Sequence, residues 1–146
     1  MIGLSCISLW QPWASFISYL LKEYETRHWS TPYRGAIVIH AAKAKDSLLL
    51  CKQEPYVSIL ARAGLTAAEL PFGAAVCLAD LTDCIRMDDA FIARQSRREL
   101  ALGNWKPGRY AWKLENIRVA VRPLPMSGKQ GIYRSTLVRE DFAAIV

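Results

Sequence analysis

Three apolar runs of strand length, Leu4–Leu9, Ala36–Ala42 and Ala74–Ile85, and one alternating segment, Tyr110–Val121, lie far apart in the chain with helical spacing between them. Strands that are not neighbours in sequence, with helices inserted, imply an α+β domain around a small, largely antiparallel sheet. No repeat, low-complexity tract or linker divides the 146 residues, so one domain spanning 1–146 is expected. An apolar share of 52% at this length buries a sizeable core without disulfides or a structural metal. No apolar stretch reaches about 18 residues without a charge, which excludes a helix spanning a membrane. Met1–Ser5 lacks a basic region leading into a long apolar run. A leader peptide is not expected there.

Between the strands, Gln11-Pro12 opens a helix running to Lys22, with Trp13, Phe16, Ile17, Leu20 and Leu21 on one apolar stripe. Glu25–Trp29 reads as extended, placing Glu25, Arg27 and Trp29 on one face and Thr26 and His28 on the other. Asp46–Arg62 reads as two helices broken near Pro55, and Thr66-x-x-Glu69 is a capping-box pattern. Asp88–Leu102 returns to helical spacing, Gly103–Gly108 is a loop, and Ile132–Tyr133 adds a short pairing segment. Val138–Val146 is expected to close the chain as a helix.

Nineteen basic against thirteen acidic residues leave a net charge of +6, which favours anionic partners without locating a site. Cys6, Cys51, Cys77 and Cys84 form no CxxC pair, and there are two histidines, so no metal site is expected. Their apolar neighbours are those of thiols packed as small hydrophobes, as in a reducing compartment, and a cytoplasmic location is expected.

Chemistry is most concentrated at Lys22, Glu25 and Arg27, where the first helix gives way to an extended segment. Lysine offers a mobile charge, arginine a planar fork of donors, and glutamate an acceptor that orients either. An anionic or carbonyl-rich ligand suits such a group, although spacing alone more commonly describes a solvated helix end with an exposed ion pair. Among five indoles, Trp29 shares the Glu25 and Arg27 face and is the best candidate to stack on a ligand, whereas Trp13 belongs to the core. His40, among Ile37, Val38 and Ile39, reads as a hydrogen-bonded structural residue. Arg97-Arg98 and Lys106–Arg109 read as solvated surface that can widen a basic patch. No local Ser/His/acid arrangement or glycine-rich phosphate loop is present in the sequence.

Several blocks together carry a family resemblance: Ile7-Ser-Leu-Trp10-Gln11-Pro-Trp-Ala14, Lys22-x-x-Glu25-Thr-Arg27-x-Trp29, Tyr33-Arg34-Gly35, Ile39-His40-Ala-Ala-Lys43, Gly108-Arg-Tyr-Ala-Trp112-x-Leu-Glu-Asn116 and Gly128-Lys129-Gln-Gly131. In this order they resemble an ASCH domain, the activating-signal-cointegrator homology family of the PUA-like superfamily. The resemblance implies a small β-barrel, largely antiparallel, with helices around it and a cleft carrying a GxKxxExR motif. Leu21 then stands where the glycine is usual. Lys22, Glu25 and Arg27 would be cleft residues, and the blocks add Trp10, Gln11, Trp29, Arg34, His40, Lys43, Trp112, Asn116 and Lys129 as ligand contacts.

The implied business is binding of RNA, another single-stranded nucleic acid or a modified nucleoside, without a cofactor or a membrane. Some small bacterial members are amidohydrolases on N4-acetylcytidine, and another is described as a ribonuclease. Lys22 matches the lysine of the amidohydrolase triad, but Glu25 occupies its threonine position and its glutamate has no counterpart. Lys22 and Glu25 would be the catalytic pair if the chain were an enzyme. Binding is the primary expectation; a hydrolase on an acylated nucleoside, or a ribonuclease, is the alternative.

Overall fold

The computed structural model describes residues 3–144, so Met1 and Ile2 of the amino-terminal segment and the last two residues of the expected closing helix lie outside it. The strands are β1 (Ser5–Leu9), β2 (Tyr24–Arg27), β3 (Gly35–Ala41), β4 (Ala74–Arg86), β5 (Tyr110–Pro125), β6 (Ile132–Arg134) and β7 (Phe142–Ala144). The helices are α1 (Trp13–Ser18), α2 (Tyr56–Arg62), α3 (Asp89–Ala93) and α4 (Arg97–Ala101).

All seven strands join one sheet in the order β2-β5-β4-β3-β1-β6, with β7 pairing β5. β1 and β3 are parallel, and the other pairings are antiparallel. Their side chains alternate into two cores. Ile7, Leu9, Ile37 and Ile39 face one with Ala14 and Ile17 of α1, while Cys6 and Val38 face the other with Leu78, Leu124 and Phe142. Burial on both faces is why β1 and β3 read as continuous apolar runs, and each large aliphatic side chain so buried contributes about 1.5–3 kcal/mol.

The expected barrel does not form: the sheet is mixed and is not closed. Among the described residues, β2 pairs only with β5 and β6 only with β1, so the two ends of the strand order never meet. β5 is 16 residues long and exposes one edge to two short strands. β2 takes Tyr110–Lys113, and β7 takes Arg118–Ala120. The carboxyl-terminal segment expected to be helical therefore enters the sheet as β7, because an unpaired β5 edge satisfies its backbone groups and Phe142 finds a core.

Helix boundaries moved for local reasons. Asp88 and Ser96 each cap a short helix, accepting from the backbone N–H of Phe91 at 2.7 Å and of Glu99 at 3.1 Å, which divides Asp88–Leu102 in two. The capping pattern at Thr66 forms, with Glu69 accepting from the Thr66 N–H at 3.0 Å. α1 stops at Ser18, and Leu20, 53% exposed, adopts φ 62°. The left-handed turn residue is thus Leu20, not Leu21, and the GxKxxExR spacing counted back from Lys22 agrees. A leucine in this region is strained where glycine is not.

Replacing Leu20 by glycine is expected to stabilise the protein by about 1 kcal/mol, the left-handed penalty less the backbone freedom that glycine adds to the unfolded chain. Phe142→Ala is expected to cost about 3 kcal/mol, as truncation of a buried aromatic does. Urea unfolding followed by circular dichroism measures both.

Candidate functional site

The carboxyl ends of the parallel strands β1 and β3, the exit of β2, and the loop joining β5 to β6 surround a cleft of about 880 Å³. Ser8 and Trp10 come from β1 and its exit, and His40 and Lys43 from β3 and its exit. Arg27, His28 and Trp29 come from β2 and its exit, and Lys129 from the loop 127–131. A second cleft of about 490 Å³ shares Ser8, Trp10 and Arg27 with the first and adds Lys22, Glu25, Thr26, Asn104 and Arg109.

Arg27 is the best-held charge of the site. Its Nε donates to Glu25 Oε2 at 2.9 Å and its Nη2 to the Ser8 carbonyl at 3.0 Å. These contacts use two of the five donors of a guanidinium. The Arg27 Cζ lies 5.9 Å from the ring centroids of both Trp29 and Trp112, within cation–π range. The two indoles meet edge to face at 4.7 Å, and Trp112 Nε1 donates to the Trp29 carbonyl at 3.3 Å. Alternation along β2 places Glu25 and Arg27 on one face, as the sequence implies, and β5 backs that face through Trp112 opposite Glu25.

Lys22 has a different fate. Its side chain is 1% exposed, and its ammonium donates to Glu99 Oε2 at 3.1 Å and to the Tyr24 carbonyl and is not splayed into solvent. Glu99 uses its other oxygen to accept from the Glu23 N–H at 2.7 Å. Glu99 was legible only as one more charge on a polar helix, and nothing local marks it as the partner of a residue 77 positions away.

At the floor of the larger cleft, Ser8 and His40 are register neighbours on the parallel pair. The Met126 carbonyl, 2.8 Å from His40 Nε2, only accepts, so that nitrogen carries the proton. Ser8 Oγ then donates to His40 Nδ1 at 2.9 Å and accepts from Tyr133 Oη at 2.7 Å. Burial holds the His40 pKa below its ordinary 6.5, against the opposing effect of the Met126 carbonyl. A Cβ at Gly128 would fall 2.7 Å from Ser8 Oγ and 2.8 Å from His40 Cε1, so only glycine lets this loop lie over the pair.

Of the other residues singled out by sequence, Trp10, Lys43 and Lys129 line the larger cleft, and all three are exposed. Gln11 does not: it is fully buried, with its amide on Ser15 and the Pro71 carbonyl. Arg34 closes the turn before β3 through the carbonyls of Thr31 and Tyr33. Asn116, at φ 53°, donates to Asp80 beside the Arg118–Asp80 ion pair and lines neither cleft. Trp112 is 1% exposed and backs the site from within the core. Sequence reasoning missed Ser8, His28, Asn104 and Arg109 as lining residues; Arg109 had a trace, as the end of the basic Lys106–Arg109 stretch.

The described residues contain no cluster of three or more His, Cys, Asp or Glu side chains placed to hold a metal, and no helix long and apolar enough to cross a membrane. All four cysteines are free, and burial pushes the Cys6 thiol up to about 11, well away from thiolate chemistry.

The class defined by this fold and site is an α+β domain whose open, mixed sheet presents a basic, indole-lined cleft at the ends of its parallel strands. The chain belongs to the ASCH domain family, whose model matches residues 7–123. Human activating signal cointegrator 1 is 33% identical over 82 residues, covering 55% of this chain and 14% of that protein. The chain therefore spans a small part of that relative's length. The crystal structure of ASCH from Zymomonas mobilis superposes with a TM-score of 0.56 at 18% identity, over 95% of this chain and 90% of the other. A tyrosine-to-phenylalanine mutant of that protein gives 0.53 at 16% identity, over 95% and 93%. At these identities the likeness is one of fold.

Two outcomes follow from the site's electrostatics. Lys22→Met strands the Glu99 carboxylate in the interior and is expected to cost about 3–5 kcal/mol, much of it recovered in the double variant with Glu99→Leu, as urea unfolding will measure. His40 is lower in pKa when folded than unfolded, so the unfolded chain takes up the proton first. Stability is full above pH ~6.5 and falls as the pH drops below it, and His40→Gln is expected to flatten that decline in melting temperature.

Proposed function

We propose that this chain binds single-stranded nucleic acid, RNA foremost, or a modified nucleotide in the larger cleft. The observation that carries the reading is Arg27, fixed by Glu25 and the Ser8 carbonyl against two indoles while lining the cavity. A fixed guanidinium recognises phosphate or base carbonyls without first losing side-chain freedom. Lys43 and Lys129 add charge that neutralises phosphate, and Trp10, 53% exposed, offers an indole face on which any base stacks. The net charge of +6 supports the same partner class.

Lys22 has a positioning role in this reading. With its ammonium held by Glu99 and the Tyr24 carbonyl, it is poorly placed to activate a nucleophile, and Glu25 is engaged with Arg27. Binding is therefore adopted over hydrolysis of an acylated nucleoside or RNA cleavage.

Fluorescence anisotropy with a labelled single-stranded RNA between about 50 and 200 mM salt tests it. Affinity is expected to fall with salt. Lys43→Ala and Lys129→Ala should each weaken binding and lower the slope of log K against log salt by about 0.7, the value for one phosphate contact on a single strand. Unchanged affinity and slope in the double variant would sink the assignment.

A further inference from the structure

The two clefts adjoin, sharing Ser8, Trp10 and Arg27, yet they differ in chemistry. The larger is lined by cations and neutral groups and by no carboxylate. The smaller, besides Lys22, Arg27 and Arg109, is lined by one carboxylate, Glu25. Only one carboxylate oxygen of Glu25 accepts from Arg27, and no hydrogen bond occupies the other among the described residues. Since no buried side-chain polar atom among those residues lacks a partner, that second oxygen keeps some contact with solvent, on a side chain 13% exposed that lines the smaller cleft. An open carboxylate repels phosphate and accepts from N–H groups. At about 490 Å³ the smaller cleft is within the ordinary size range of small-ligand sites.

We infer that the two clefts form one bipartite site, in which the smaller takes a base bearing an exocyclic amine and the larger takes the phosphate of the adjoining nucleotide. This rests on the nucleic-acid reading and adds specificity to it. Glu25 accepts from the amine, as carboxylates do from the cytosine N4 group, and uracil offers a carbonyl oxygen at that position instead. A carbonyl facing a carboxylate leaves two acceptors opposed, so discrimination comes from repulsion as well as attraction. Trp10 lines both clefts and is exposed, so it forms a shared wall on which a base packs whatever its identity. Arg27 also reaches both, which couples the phosphate contact to the base contact. The preferred ligand is thus longer than a mononucleoside and is single-stranded, with its base edge free of pairing.

Labelled oligo(C) and oligo(U) of equal length test this, since they carry the same phosphates and nearly the same ring shape. The wild-type protein is expected to bind oligo(C) roughly tenfold more tightly, within the range of one base-specific contact. Glu25→Gln, whose amide oxygen still accepts from Arg27 Nε and whose amide nitrogen then faces the base as a donor, should weaken oligo(C) and tighten oligo(U), bringing the ratio to one or below. Trp10→Ala should weaken both by a similar factor, and melting temperatures confirm that each variant is folded. Equal affinities in the wild type, or a preference that survives Glu25→Gln, would overturn the bipartite assignment while Lys129-dependent salt sensitivity leaves the binding reading standing. Binding to neither oligonucleotide would overturn both.

Discussion

The site depends on a buried ion pair that forms none of the larger cleft's wall. Lys22 and Glu99 are 3% and 5% exposed, and their attraction draws the start of β2 against α4. Dehydrating two charges is costly, and the arrangement is stable because each charge has more than one partner. Lys22 also donates to the Tyr24 carbonyl, and Glu99 also accepts the Glu23 N–H. Gly103 lets the following loop close over the pair, since a Cβ there would stand 3.1 Å from Lys22 Nζ and 2.7 Å from Trp105 Nε1. With the entry to β2 fixed in this way, the strand carries Glu25 to the smaller cleft and Arg27 to both.

An open sheet suits this arrangement. In a closed barrel the interior is filled by side chains, whereas here the parallel pair ends at an edge from which the β1, β3 and β2 exits diverge. The concavity between those exits is lined by cations and indoles over a hydrogen-bonded floor in which His40 is buried and Ser8 and Tyr133 are half-buried. Packed support below and accessible charge above is the division that a binding cleft needs. The same floor ties the cleft to folding, because protonation of His40 is disfavoured where it is buried.

Much of the fold was legible because its central strands are buried on both faces and therefore announce themselves as apolar runs. The turn chemistry of Thr66–Glu69 was equally local and equally readable. β7 was not, since Val138–Val146 has no pattern that distinguishes a short edge strand from a helix, and its pairing waits on an edge supplied by β5. The barrel expectation failed for a related reason: closure depends on whether two short strands at opposite ends of the sheet meet, and no local signal carries that. In the site, the alternation that groups Glu25 with Arg27 was readable from period two alone, whereas Gln11, Arg34 and Asn116 belong to blocks that resemble the family yet serve a helix start, a turn and an ion pair.

By itself, the sequence determined the order of β1 to β6 and the helical segments between them, the apolar runs of the central strands, and the placement of an acid and an arginine on one face of β2. These follow from periodicity, which acts between residues near in the chain. Only the tertiary structure decided that Lys22 is a buried anchor while Arg27 is the charge facing the cleft. That choice turns on Glu99, 77 residues away, reaching one cation and not the other. Desolvation depends on what the rest of the chain packs against a group, and spacing along the sequence holds no measure of it.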